Sequence, residues 1–89
     1  MANHKSAKKR ARQALRRRDR NRHDRSEMRS AVKLVRTALE AGNAEAATGA
    51  LKQAESKLRR ASSKGLIHWK TASRRISRLT KATNRVASA

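Results

Sequence analysis

The chain has no cysteine, proline, tyrosine or phenylalanine, a single tryptophan (Trp69), and only six acidic residues in 89. Without cysteine there is no disulfide framework, thiolate metal site or cysteine nucleophile, a usage that fits a reducing cytoplasm. Without proline the strongest helix breaker is missing, and the glycines at 42, 49 and 65 are the punctuation that remains. β-branched residues are sparse, so no stretch alternates as a strand does. An all-α fold is expected. No apolar run approaches the roughly 18 residues that span a bilayer, and Met1-Ala2-Asn3-His4-Lys5 leads into no hydrophobic segment. Neither a membrane span nor a secretory leader is expected.

What the chain does have is positive charge. Its 25 lysines and arginines give a formal net charge of +19. Of its hydrophobic residues 17 are alanine, which bury little apolar area, and only 15 are Leu, Ile, Val, Met or Trp. A chain of this size makes one small domain, residues 1–89, whose net stability alone lies near zero before charge repulsion is counted. It is expected to depend on a partner.

Gly42-Asn43 and Gly65 divide the chain into three helices, expected over roughly 5–41, 44–63 and 67–87. Asn43 suits an N-cap, with Glu45 in the first turn behind it. Met28, Ala31, Val32, Val35, Ala38 and Leu39 form one apolar stripe at helical spacing. Ala44, Ala47, Leu51, Ala54, Leu58 and Ala61 form a second, and Ala72, Ile76, Leu79, Thr83 and Val86 a third. Short links make neighbouring helices antiparallel, so the stripes bury one another in a three-helix bundle over 28–87. Leu66, Ile67 and Trp69 are expected to close the second junction, and Gly49 to permit close helix packing. From Arg16 to Glu27 there is no apolar residue, so the first helix is expected to project as a long basic N-terminal arm, residues 1–27.

Residues 1–29 hold 12 basic and three acidic side chains. At about 100° per residue, Arg18, Arg22 and Arg25 share one face with Arg29, while Lys9, Arg16 and Arg20 take the opposite one. Arg10 and Arg17 fall between. Cations all round a helix suit a surrounding polyanion, whereas a membrane-surface helix keeps an apolar side. Lys8, Arg12, Arg16 and Arg20 form a like-charge ladder that opposes helix formation, so 5–25 is expected to fray when free and to order on binding. Asp19, Asp24 and Glu27 read as spacers in this ladder. The last segment adds Lys70, Arg74, Arg75, Arg78, Lys81 and Arg85, with no acid after Glu55. This footprint points to nucleic acid. With one tryptophan, aromatic stacking cannot be the main mode, and a stripe ending at Leu39 is too short for a basic zipper. Phosphate contact with a folded RNA is the reading left, with a DNA-compacting architectural protein as the alternative and a membrane-active peptide as a third.

Particular residues add to this. Ala2-Asn3-His4-Lys5-Ser6-Ala7-Lys8-Lys9-Arg10 resembles the opening of the bacterial small-subunit ribosomal protein S-twenty family. Glu40-Ala41-Gly42 resembles its first helix break. Lys64-Gly65-Leu66-Ile67-His68, with Thr71, Ala72, Arg74, Ser77, Arg78 and Leu79, resembles the approach to its last helix. The resemblance covers essentially the whole chain, departing at Trp69-Lys70, Ser73 and Ile76. It implies a three-helix protein that binds small-subunit ribosomal RNA, helps fold its 5′ domain during assembly, and sits in the small subunit in the cytoplasm without catalysing a reaction. By matched position, Lys5, Ser6, Lys8, Lys9 and Arg10 would contact RNA from the arm, and Lys64, His68, Arg74 and Arg78 near the third helix. The charge reading adds Arg12, Arg16, Arg17, Arg18, Arg20, Arg22, Arg25, Lys70 and Arg75. Neighbouring ribosomal proteins are conceivable partners. No membrane, small-molecule substrate, cofactor or homo-oligomer is expected.

Other chemistry finds little support. His4, His23 and His68 lack metal-ligand spacing. Ser6, Ser26, Ser30, Ser62 and Ser63 have no base and orienting partner in view, so nucleophilic catalysis is not expected. His68 is read equally as an RNA ligand or a backbone cap. Trp69 is read as a packing residue, with base stacking as its alternative.

Overall fold

The computed structural model describes residues 2–88. Three helices follow one another: α1 (Ala2–Glu40), α2 (Ala44–Ser63) and α3 (Trp69–Ser88). They pack as an antiparallel bundle, and α1 extends well past it, which stretches the molecule to 68 × 22 × 14 Å.

Both links are made by the residues the sequence marks for them. After α1, Gly42 N–H donates to Leu39 C=O at 3.1 Å and Asn43 N–H to Ala38 C=O at 3.0 Å. This paired closure of a helix end needs a left-handed residue, and Gly42 supplies φ +69°. Asn43 then caps α2, its side chain accepting from Ala46 N–H at 3.1 Å. The second link repeats the device: Gly65 (φ +77°) donates to Ser62 C=O at 3.0 Å and Leu66 to Ala61 C=O at 2.9 Å. That closure brings Leu66 and Ile67 onto the core through a bend, so α3 starts at Trp69 rather than at 67. At the other end α1 is already helical from Ala2, three residues before the expected start.

The core is small and alanine-rich. Leu58 and Val35 are its fully buried large side chains, ringed by Met28, Ala31, Ala54, Ala61, Ala72 and Leu79. Val32, Leu39, Leu51, Leu66, Ile67 and Ile76 pack around them. Thr83 is buried at no polar cost, because its hydroxyl donates to Leu79 C=O at 2.8 Å. Helix α2 lies between the other two, and α3 meets α1 only along a short stretch. The first half of α1 joins no core, and every residue from His4 to Arg20 is exposed.

Two packing expectations are corrected. Trp69 does not close the junction: it is 62% exposed, because the closure at Gly65 already turns Leu66 and Ile67 inward. Gly49 does not mediate close packing, since it faces open space with nothing within 4 Å of a built Cβ. It is therefore an ordinary helix position carrying the entropy cost of glycine. Gly49→Ala is expected to stabilise the chain by about 0.5–1 kcal/mol, read as a higher melting temperature. An unchanged or lower one would contradict this placement.

Candidate nucleic-acid interface

The basic side chains collect on two surfaces of different construction. The first is a stripe on the projecting half of α1. Lys5, Lys8, Lys9, Arg12 and Arg16 line one shallow face together with Gln13, at the i, i+3, i+4 spacing that stacks side chains on one side of a helix. Ser6 and Arg10 lie beside it, and Arg17, Arg18, Arg20, Arg22 and Arg25 are exposed around the rest of the shaft.

The second surface is a groove where α3 runs past α1. Its walls carry Arg29, Lys33 and Arg36 from α1 and Arg75 and Arg78 from α3, and Met28, Val32 and Leu79 line it between them. Five cations thus face one another with no carboxylate among the lining residues. Arg75 and Arg78 were expected at a binding surface; Arg29, Lys33 and Arg36 were not named there. Their spacing flanks the stripe of Met28, Val32 and Val35, but sequence does not say which flank faces α3. Arg74 is exposed on α3 outside this groove.

The centres of the stripe and the groove lie about 30 Å apart along α1 at about 1.5 Å per residue. They also point about 120° apart round its axis at about 100° per residue. A single straight polyanion cannot lie along both. Two segments can.

The other expected contact residues cluster at the second link, where some are engaged within the protein. Lys64 Nζ donates to Asp24 Oδ2 at 2.8 Å. His68 caps α3, its Nδ1 accepting from Lys70 N–H at 3.1 Å. Lys70 Nζ lies 5.6 Å from the centre of the Trp69 ring. Asp24 and Glu27 are not mere spacers in the charge ladder, for Glu27 accepts from Lys57 Nζ at 3.2 Å and Asp24 from Lys64. These pairs pin the middle of α1 to α2. The helix register brings together residues 30 and 40 positions apart, which local charge counting cannot see.

The pairs have a consequence in acid. The hydrogen bond from Lys64 holds the Asp24 carboxyl below the usual aspartate range, and Lys57 does the same for Glu27. A carboxyl depressed in the fold takes up protons first in the unfolded chain. Its contribution is thus complete above the unfolded pKa and lost as pH falls through the folded one, here below about pH 4. Acid melts should show this loss, and Asp24→Asn with Glu27→Gln should flatten it. An identical acid profile in the double variant would show that the pairs hold nothing.

Among the described residues no group of three or more His, Asp or Glu is placed to hold a metal ion, and no helix is long and apolar enough to cross a membrane. What these surfaces can do is gather phosphates.

Comparison with known proteins identifies relatives along nearly the whole chain. The family model described as Ribosomal protein S20 matches residues 2–84. Small ribosomal subunit protein bS20 of Nitratidesulfovibrio vulgaris is 55% identical over 87 residues, covering 98% of this chain and 100% of its own. The protein of the same name from Syntrophotalea carbinolica is 57% identical over 86 residues, covering 97% and 99%. That from Solidesulfovibrio magneticus is 53% identical over 89 residues, covering all of both chains.

Proposed function

Because the chain belongs to the ribosomal protein S20 family, we propose that it is a structural constituent of the small ribosomal subunit that binds the subunit's RNA directly and aids its folding. The α1 stripe neutralises phosphates of one RNA segment, and the α1–α3 groove neutralises those of another. The protein ties the two together. Its chemistry is electrostatic and positional, with no bond made or broken, and its place is in the small subunit in the cytoplasm, beside whatever ribosomal proteins adjoin that RNA. The 5′ domain is the RNA region it helps to fold.

The observation that carries this reading is the groove of five cations standing apart from the stripe, on another side of the same helix. The projecting half of α1 supports it too, since a ladder of like charges becomes favourable once phosphates surround it. The test is competition between folded small-subunit ribosomal RNA and duplex DNA at physiological salt. The RNA is expected to win clearly. Equal affinity for both would leave only unspecific charge attraction and overturn the proposal.

A further inference from the structure

Trp69 is the chain's single tryptophan, and it is exposed directly after two residues, Leu66 and Ile67, that pack against the core. An indole left in water forgoes a large apolar burial unless something else covers it. Resting on the RNA-binding reading above, we propose that Trp69 is a stacking platform for one unpaired base of the bound RNA, with Lys70 placed to meet the phosphate beside that base.

The geometry is that of a prepared surface. The His68 ring lies against the indole with ring centres 5.7 Å apart and planes 28° from parallel. His68 is itself held by the hydrogen bond its Nδ1 accepts from Lys70 N–H, so the imidazole supports the indole from a fixed position. The Lys70 ammonium lies over the indole ring, 5.6 Å from its centre, so a base stacking there takes its place and the ammonium turns to the phosphate attached to that nucleoside.

The surroundings select the occupant. Trp69 borders a groove between the end of α2 and the start of α3, lined by Ser62, Ser63, Ser73 and Ser77 together with Ala72 and Ile76. Serine hydroxyls donate or accept, so they can meet the edge of any base. The threonines at 37, 48, 80 and 83 turn their hydroxyls back to their own helices. Among the described residues these four serines make no such bond and remain available to a ligand. Arg59 lines the same groove, its charge matched by Glu55 at 2.8 Å, and no carboxylate lines it. A lipid surface would meet serine, histidine and lysine around the indole instead of an apolar flank. A base with its phosphate meets a partner for each part.

Fluorescence provides the test, since Trp69 is the sole indole. A small-subunit ribosomal RNA transcript should quench it, while inorganic polyphosphate should bind the full chain without quenching. Trp69→Ala should weaken binding of the transcript by between about 5-fold and about 150-fold, the range for loss of one stacked base. It should leave the salt dependence unchanged, because no phosphate contact is removed. Trp69→Phe, which keeps a ring, should recover much of the affinity. Full affinity in Trp69→Ala, or equal quenching by polyphosphate, would overturn the platform while leaving RNA binding intact. So would a loss of helicity in Trp69→Ala that explains its weaker binding and that Trp69→Phe does not restore. Failure of the unmodified chain to bind the transcript would instead overturn the reading on which the platform rests.

Discussion

Between about 50 and about 200 mM salt, affinity for small-subunit ribosomal RNA is expected to fall by about 10³–10⁵, the loss produced by about 6–10 phosphate contacts. The number of contacts is set by the two surfaces. The stripe offers Lys5, Lys8, Lys9, Arg12 and Arg16, and the groove offers Arg29, Lys33, Arg36, Arg75 and Arg78. Each phosphate contact releases condensed cations from the RNA, and added salt opposes that release. Replacing Lys8, Lys9 and Arg10 together by alanine should lower affinity and reduce the slope of log affinity against log salt by about 3, about one per phosphate contact removed. Helicity of the bundle should hardly change, because all three side chains are exposed and lie outside the core. Loss of the fold in that variant would mean that the projecting half of α1 is structural after all. An unchanged slope would mean that these cations meet no phosphate.

The reverse behaviour is expected at Leu58. Its side chain is fully buried in α2, the helix that holds α1 and α3 together, and four of the seven other buried residues of the core cluster are alanines with nothing to extend. Leu58→Ala should cost about 2–5 kcal/mol through lost transfer energy and the cavity left behind. A single core of this size rarely supplies more than about 3–5 kcal/mol, so the free variant should be largely unfolded by circular dichroism. RNA at about 100 times its dissociation constant stabilises the folded form by about 2.7 kcal/mol and should restore part of the helical signal. Leu58→Asp should not be rescued, because a buried carboxylate adds a further cost of several kcal/mol. Retained helicity in free Leu58→Ala would show that the core is shared more evenly than its burial pattern implies.

The architecture was legible because it rests on local signals. Glycine at 42 and 65, asparagine at 43 and apolar residues at helical spacing each act within a few positions. Met28, Val35, Leu58, Ala72 and Leu79 could therefore be placed inside before any fold was known. The misreadings share a different cause: each depends on how one helix sits against another. Asp24 and Glu27 looked like relief for nearby arginines, yet their partners are lysines of α2 and the link beyond it. Arg29, Lys33 and Arg36 counted only as charge until α3 came to lie beside them. Trp69 was given to the junction because an apolar ring normally goes inside, but Leu66 and Ile67 are the residues of that link that pack against the core, and the ring stays exposed. The basic composition announced a polyanion, while its division into two surfaces is a property of the packing.

That division can be examined directly because the chain contains no cysteine, so one can be introduced at a chosen place as a unique attachment point. Gln13→Cys marks the stripe, and Glu40→Cys marks α1 about one turn past Arg36 of the groove. Each variant would carry a tethered iron chelate that generates hydroxyl radicals while the protein is bound to small-subunit ribosomal RNA. The cuts from the two positions should fall in RNA segments far apart in nucleotide sequence. If both sets coincide in one helix, or scatter evenly along the RNA, the protein does not join separate segments and the account is wrong.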